Sequence, residues 1–292
     1  VNHQITENTK KQKFDLLWID KGLLIRPETL KEVKRVCPQT KIITFSPDDM
    51  LNPGNQSGYY LKCIPLYDYH ITTKSYNVPE LKELAAKNVI FTDKSFDPDF
   101  HKKMSLSADE LKKYGCNVGF IGQFEKERFQ SMLFLAKNGV KVTVRGTSWE
   151  KYINIHPNMV VKPGFILGEE YAKVINATKI NLCFLRKVNR DLQTARSIEI
   201  PACGAFMLGE RTNEHLYLFK EGEEAEFFET DQELLHKIRF YLGNEEKRLQ
   251  IAERGKRRCF ESGYSTKERL FVVMKNIYAV LFMSACIIGI GA

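Results

Sequence analysis

The chain has 292 residues, 43% of them hydrophobic and 27% charged, which is the composition of an ordinary globular protein with room for two domains. Its net charge of +8 favours anionic partners. The basic residues are dispersed, however, with no long basic run and no aromatic-interleaved basic motif, so the composition argues against a nucleic-acid-binding protein.

The N-terminal residues and the cysteines predict the cellular compartment of the protein. The first 13 residues are polar, so we predict an N-terminal extension over 1–13 and no signal peptide. The seven cysteines show no CxxC and no paired histidine spacing, and most of them lie beside apolar residues. This pattern is typical of reduced thiols in a cytoplasmic protein and excludes a disulfide framework or a zinc site.

Strand-like and helix-like segments alternate in the first part of the chain. Pro27 and Glu28 open one helical segment, since proline and an acidic residue are both favourable in a first turn. The short apolar runs predict strands at 14–20, 41–45, 69–73 and 88–92, with helices at 27–36 and 78–87. An Asp/Lys-rich segment, 93–115, follows and is interpreted as the connection between two domains, so the N-terminal domain with its linker is placed at 14–115.

A second alternating series predicts a C-terminal domain over 116–265. Its strands and helices, in chain order, are strands 117–122, 140–146, 159–164, 179–185 and 205–208, with helices near 126–139, 168–177, 194–200 and 231–262. Repeated alternation with β-branched apolar strands predicts parallel sheets covered on both faces. The fold class is therefore α/β, with two Rossmann-like domains facing a cleft.

The C-terminal segment 266–292 is predicted to be a helix that ends in an apolar tail. Residues 276–292 carry no charge for 17 positions, which is shorter than the roughly 20 residues that a spanning helix needs. A helix packed on the protein body is favoured over a membrane anchor, which stays open as an alternative.

Ligands of open α/β sheets bind at the carboxyl ends of the strands, which directs attention to two loops. Gly122 follows the strand at 117–121 and would let a backbone approach a ligand closely, although a structural glycine is the plainer explanation. The sequence has neither GxGxxG nor GxxxxGK[ST], so it predicts no NAD site and no P-loop.

The second loop is in the stretch "NRDLQTARSIEIPACGAFML", residues 189–208. Several cations crowd the amino end of its predicted helix, where free N–H groups already favour an anion: Arg186, Lys187, Arg190 and Arg196. This is how a diphosphate site would be built, and a solvated basic loop is the alternative. Asp191 and Glu199 are eight positions apart, so both carboxylates can face one pocket. Glu199 lies between two isoleucines and needs a hydrogen-bond partner there. Vicinal sugar hydroxyls would suit it, and a neighbouring helix or Arg196 is the alternative.

Several segments resemble the CgeB-like (spore-maturation-type) glycosyltransferase family, within the GT-B retaining glycosyltransferase (group 1) superfamily. The similarity runs from about residue 14 to 270 and is carried by "DKGLLIRPETLK", "FSPDDMLNPGN", "VGFIGQFEKER" and "LQTARSIEIPACGAFML". It implies a two-domain enzyme whose C-terminal domain holds a nucleotide-diphospho-sugar as substrate, with no further cofactor and no metal.

The resemblance also assigns residues. It implies that Glu199 binds the ribose hydroxyls and that Asp191, one methylene shorter than the usual glutamate, lies by the donor sugar. Lys187 and Arg196 would then stabilise the diphosphate, with Thr194 donating a hydroxyl at the helix start and Gly122 as the close-approach glycine. Arg128 is predicted to be a helix-surface residue.

In the N-terminal domain, acidic residues at a strand's carboxyl end are candidates for the acceptor side. Asp48 and Asp49 could orient or deprotonate an acceptor hydroxyl, and a turn with a helix cap explains them equally well. Lys21 could reach a phosphate or the acceptor, while His70 is interpreted as a packed or surface residue. A full domain of this fold begins with a strand, a glycine-rich turn and a helix, so the N-terminal domain is expected to be incomplete.

These observations predict a cytoplasmic glycosyltransferase that moves a sugar from a nucleotide-diphospho-sugar to a hydroxyl of a glycan, protein or small molecule, with retention of configuration and no metal. The main alternative is a non-catalytic module that binds a nucleotide sugar without turning it over. No nucleic-acid partner is expected, and membrane contact through the C-terminal tail is not favoured.

Overall fold

The structure is a computed structural model that describes residues 1–287, with side chains described as far as residue 278. The chain forms two compact units. Unit 1 comprises Val1–Asp93, Lys187–Asp191 and, among the described residues, 269–287. Unit 2 comprises Lys94–Arg186 and Leu192–Glu268.

Unit 1 is built on a four-stranded parallel sheet in the order β1-β2-β3-β4. Its elements before Asp93 are α1 Asn2–Lys11, β1 Leu16–Asp20, α2 Pro27–Val36, β2 Lys41–Ser46, α3 Gly58–Cys63, β3 Tyr69–Thr72, α4 Asn77–Glu83 and β4 Val89–Phe91. The predicted strands and helices of this part are confirmed, with ends that differ by a few residues.

Adjacent residues of β2 show that the sheet of unit 1 is covered on both faces. Ile42 packs with Leu30 and Val33 of α2, whereas Ile43 packs with Val273 and other side chains of the C-terminal helix. Successive side chains of a strand point to opposite faces, so two buried neighbours require two covering layers. This arrangement confirms the predicted parallel sheet with apolar, doubly buried strands.

Unit 2 contains a six-stranded parallel sheet in the order β10-β9-β8-β5-β6-β7. The remaining elements are α5 Ala108–Tyr114, β5 Cys116–Ile121, α6 Lys126–Lys137, β6 Val142–Gly146, β7 Met159–Pro163, α7 Gly168–Ala177, β8 Thr178–Cys183, α8 Ala195–Ala202, β9 Met207–Glu210, α9 Asn213–Leu218, β10 Glu226–Phe228, α10 Asp231–Gly243, α11 Glu245–Glu261 and α12 Thr266–Ile287. From the centre of the sheet, β5, β6 and β7 follow one another towards one edge, and β8, β9 and β10 follow one another towards the other edge. The direction in which successive strands are added therefore reverses between β5 and β8. Such a reversal leaves a crevice at the carboxyl ends of the two central strands, where open α/β sheets bind ligands.

The two units divide the chain differently from the prediction. The structure separates them after Asp93, not at 115/116, because Phe96 is buried in the core of unit 2 among side chains of that unit. Residues 187–191 belong with unit 1, and α12 passes into unit 1 at Arg269.

The N-terminal segment 1–13, predicted as a polar extension, contains helix α1. Its Ile5 packs against the apolar cluster of unit 1, and the Asn2 side chain accepts hydrogen bonds from Thr29 Oγ1 at 2.8 Å and from the Arg26 backbone at 2.9 Å. Contacts with α2 therefore order a segment whose composition alone indicates only solvent exposure.

Helix α12 occupies 266–287 of the predicted C-terminal segment, and the last five positions of the predicted apolar tail, 288–292, lie outside the described residues. Over the described part of the chain, none of the helices combines the length and the apolar character needed to cross a bilayer.

Candidate functional site

Gly122 directly follows β5, at the crevice of unit 2, and its lack of a side chain is required by packing. A Cβ at this position would stand 2.7 Å from the Phe120 ring and 3.3 Å from Nη1 of Arg196. A Cβ at Gly146, the last residue of β6, would collide with the Gly122 carbonyl oxygen, which also accepts a hydrogen bond from Trp149 Nε1 at 2.8 Å. Gly122 is therefore needed for packing, as the structural explanation in the sequence analysis expected. Its missing side chain also keeps the space beside Arg196 free.

Arg196, in the first turn of α8, places a guanidinium group at the same crevice. Its Nη2 donates to the carbonyl oxygen of Phe184, just beyond β8, at 3.2 Å, and the group lies over the Phe120 ring at 5.4 Å. Its buried Nε has no hydrogen-bond partner among the described residues. A buried donor of this kind is costly to leave unbonded, so Arg196 is suited to bind an anion at the predicted diphosphate position.

Arg128 was predicted to lie on a helix surface, and that prediction is wrong. The side chain, on α6, is 3% exposed, because its Nη1 and Nε donate to the carbonyl oxygens of Gln123 at 3.0 Å and Leu185 at 3.3 Å. Burial, and then the nearby charge of Arg196, lower the pKa of Arg128 to about 10. Two guanidinium groups therefore converge at the ends of β5 and β8, which favours a negatively charged ligand there.

The start of α8 is held by a buried hydrogen-bond chain that the sequence did not predict. Thr194 is the N-cap residue, and its backbone N–H donates to Ser197 Oγ at 3.0 Å. Ser197 Oγ also lies 2.6 Å from Nε2 of His215, whose Nδ1 lies 2.6 Å from the carbonyl oxygen of Glu210. Because a carbonyl oxygen can only accept, the proton is on Nδ1, and Ser197 donates to Nε2. The predicted phosphate contact of Thr194 stays a prediction.

Glu199 lies one turn further along α8, and both of its carboxylate oxygens have neighbours. Tyr171 of α7 donates its hydroxyl to Oε2 at 2.6 Å, and Nε2 of His101 lies 3.6 Å from Oε1. The alternative of a bond to a neighbouring helix is therefore realised, whereas the structure gives Glu199 no ion pair with Arg196. The ribose assignment remains a prediction.

At the carboxyl end of the unit 1 sheet, the residues after β1 and β2 pair with one another. Lys21 adopts a left-handed backbone conformation (φ 57°) after β1, and its Nζ lies 2.6 Å from a carboxylate oxygen of Asp48 after β2. The suggested phosphate role of Lys21 and the acceptor role of Asp48 stay predictions, since the ion pair occupies both groups in this structure. His70 of β3 is buried in the core and bonded to the carbonyl oxygen of Ile64, as a packed residue.

Asp49, the other predicted acceptor-side carboxylate, is fully buried. It accepts hydrogen bonds from Arg190 at 2.7 and 3.0 Å, from Asn77 Nδ2 at 3.0 Å and from the Leu51 backbone at 3.2 Å. Burial alone would raise the pKa of Asp49, but the hydrogen bonds from Arg190 and Asn77 and the charge of Arg190 lower it overall. These contacts favour the turn interpretation, and they remove Arg190 from the predicted diphosphate cluster, because its guanidinium also pairs with Glu80 at 2.8 Å.

Asp191 belongs to unit 1 because the segment Lys187–Asp191 is bonded to it. Nζ of Lys74, beyond β3, donates to Asp191, and the two side chains are only 2% and 8% exposed. Asn189 donates to Asp191 at 2.6 Å and accepts from the Asp49 backbone at 3.0 Å, while its carbonyl oxygen accepts from Tyr76 at 2.7 Å. Asp191 lies in unit 1 and Glu199 in unit 2, so the prediction that these two carboxylates face one pocket stays untested. Lys187 also lies in unit 1.

The sequence patterns did not identify Tyr171, His101 or His215 as residues of the candidate site. Tyr171 stands beside the apolar positions of an amphipathic helix, and His101 lies in the segment interpreted as a linker, so neither carried a recognisable signal. Among the residues that the structure describes, no group of three or more His, Cys, Asp or Glu side chains is arranged to hold a metal ion.

Several solved structures superpose on this one over nearly the whole chain. Sucrose-phosphate synthase from Thermosynechococcus elongatus superposes with a TM-score of 0.67 at 11% identity, over 97% of this chain and 77% of that one. HepE of Anabaena in complex with UDP superposes at 0.62 with 14% identity over 97% and 82% of the two chains. A glycosyltransferase from Rickettsia africae reaches 0.66 at 11% identity over 96% and 80%. At these identities the similarity shows the fold, which is GT-B.

Sequence comparison identifies the family. No curated protein matches the chain. The sequence model of the family described as glycosyl transferase-like matches residues 126–275, just over half of the chain and most of unit 2, including β8 and α8. The chain therefore belongs to the glycosyl transferase-like family and is a glycosyltransferase with the GT-B fold of group 1 enzymes.

Proposed function

We propose that this protein transfers a sugar from a nucleotide-diphospho-sugar to an acceptor hydroxyl, and that unit 2 holds the donor at the carboxyl ends of β5 and β8. The HepE structures contain UDP, UDP with glucose, and UDP-glucose, so a uridine donor is the first to test. The finer assignment to the CgeB-like group, and retention of configuration at the sugar, rest on the sequence resemblance.

The observation that carries this proposal is the spacing of Arg196 and Glu199 on α8. Residues three positions apart share one helix face, with Cβ atoms about 5–6 Å apart. The face therefore presents a cation with an unbonded buried N–H next to a carboxylate. A nucleoside diphosphate has the complementary pair of groups, because its phosphates can accept from a guanidinium and its ribose diol can donate to a carboxylate.

The same crevice supplies the positive charge that a leaving diphosphate needs. Arg128 and Arg196 both lie over the Phe120 ring, at 5.5 and 5.4 Å, and the amino end of α8 adds its dipole. Fixed cations aimed at a leaving group stabilise the charge that develops there. We propose on this basis that the reaction needs no metal ion.

The test is thermal unfolding of the full chain with a panel of donors that begins with UDP-glucose. Ligand at about 100 times its dissociation constant adds roughly 2.7 kcal/mol to the free energy of unfolding. We expect one donor to raise the melting temperature, and Glu199→Gln and Arg196→Met each to reduce the rise. Glu223→Gln, at an exposed carboxylate of unit 2, is the matched control. The absence of a shift with every donor would refute the proposal.

A non-catalytic nucleotide-sugar-binding module is the second candidate, and one observation favours it. Asp191, the predicted donor-side carboxylate, is neutralised by buried Lys74 and further bonded by Asn189. Incubation of the protein with the donor that it binds, followed by measurement of released nucleoside diphosphate, separates the two. Binding without hydrolysis or transfer would establish the module.

A further inference from the structure

Two residues from outside its own helix lie next to the carboxylate of Glu199, and one of them is hydrogen-bonded to it. Tyr171 comes from α7 and His101 from the segment that precedes α5, so three separate parts of unit 2 meet at one side chain. The side chains of His101 and Glu199 are 15% and 17% exposed, which leaves this group accessible to a ligand. We infer from this convergence that the surrounding side chains fix the orientation of the Glu199 carboxylate.

Tyr171 acts as a hydrogen-bond donor in this group. Burial, and then the negative charge of Glu199, raise the pKa of the Tyr171 hydroxyl well above its ordinary value, so the phenol keeps its proton. The distance of 2.6 Å to Glu199 Oε2 is that of a short bond to a charged acceptor. The hydroxyl therefore fixes Oε2 in one place.

His101 faces the other oxygen with a defined tautomer. Its Nδ1 accepts a hydrogen bond from the Asp97 backbone N–H at 3.0 Å, and its own backbone N–H donates to the Asp97 carbonyl oxygen at 2.7 Å. In a neutral ring the proton must then be on Nε2, which points to Glu199 Oε1 at 3.6 Å. The His101 and Tyr171 rings meet edge to face, 5.8 Å between centroids, so each restrains the other.

We propose that Tyr171 and His101 are positioning residues that aim the Glu199 carboxylate at the ribose hydroxyls of the bound nucleotide. An ionised carboxylate has about four lone-pair sites, and the two neighbours occupy at most one on each oxygen. The remaining sites can accept from two adjacent hydroxyls only while the carboxylate plane stays in one orientation. This inference rests on the proposed function, since it concerns the same donor site.

The experiment compares the affinities of UDP and 2′-deoxy-UDP for the full chain by calorimetry. We expect the wild-type protein to prefer UDP by about tenfold or more, since a hydrogen bond to a charged group contributes that much. Tyr171→Phe should reduce this preference to less than about threefold and leave the affinity for 2′-deoxy-UDP nearly unchanged. Glu199→Gln should have the same two effects. His101→Gln should reduce the preference by a smaller factor, because its contact is longer.

Tyr217→Phe, at an exposed tyrosine of unit 2, is the control and should keep the wild-type preference. A purely structural role of Tyr171 would weaken both nucleotides equally, and an unchanged preference in Tyr171→Phe would overturn the inference. If the wild-type protein binds UDP with no preference for the ribose, positioning for the diol is wrong although the donor site stands. If it binds none of UDP, GDP and ADP, the proposed function itself fails.

Discussion

The buried histidine that holds the start of α8 makes the stability of unit 2 depend on pH. Burial lowers the pKa of His215 from its ordinary 6.5 to about 4, outweighing its hydrogen bond to the Glu210 carbonyl oxygen. Between these two values the unfolded chain binds a proton that the folded chain does not. The stabilisation is thus complete above about pH 6.5 and is lost as the pH falls towards 4.

The size of the effect follows from the two pKa values. They differ by about 2.5, and each pKa unit corresponds to about 1.36 kcal/mol, so neutral His215 contributes roughly 3 kcal/mol above pH 6.5. Within the window, the free energy of unfolding should fall by about 1.4 kcal/mol per pH unit for this one proton. Ser197 lies between Arg196 and Glu199 on α8, so loss of its bond to His215 would also loosen the proposed donor site.

Urea unfolding between pH 4.5 and 7.5 measures this dependence. The fluorescence of Trp149, fully buried in unit 2, reports the transition when Trp18 is replaced by phenylalanine. We expect His215→Asn to lower the slope of unfolding free energy against pH by about one proton, and His236→Asn, at an exposed histidine, to leave it unchanged. Equal slopes in the wild type and His215→Asn would refute the reasoning.

Three further predictions concern the other contacts. Lys74→Met should lower the free energy of unfolding by about 3–5 kcal/mol, because it leaves the buried charge of Asp191 without its partner. Adding Asp191→Asn should restore part of this loss. Additive effects of the two changes in urea unfolding would contradict the pairing. Arg190→Met should raise the pKa of Asp49 and so remove stability that the wild type has in full above about pH 4 and loses as the pH falls further. The variant should therefore unfold at a higher pH than the wild type, as acid unfolding followed by circular dichroism would show. Gly122→Ala should lower the melting temperature and weaken UDP-glucose binding, because the added methyl stands 2.7 Å from an aromatic ring; unchanged values for both would count against the packing argument.

Much of the architecture could be predicted from local sequence patterns. Short β-branched runs predicted the parallel strands, and Pro27 marked the start of α2, because strand alternation and helix start signals involve residues close together in the chain. The same patterns located the loop after β8 and the helix with Arg196 and Glu199, since binding at the carboxyl end of a parallel strand is a property of the fold.

The sequence by itself therefore determined the α/β class, the order of its elements and the loops at which chemistry is expected. Only the tertiary structure decided the partners of each side chain: Arg128 is buried rather than exposed, Glu199 is bonded to Tyr171, and Asp191 is bonded to Lys74 in unit 1. These pairings join residues 28 and 117 positions apart, and no periodicity or spacing rule extends that far. Burial and charge pairing depend on which elements pack together, and that packing is a property of the whole folded chain.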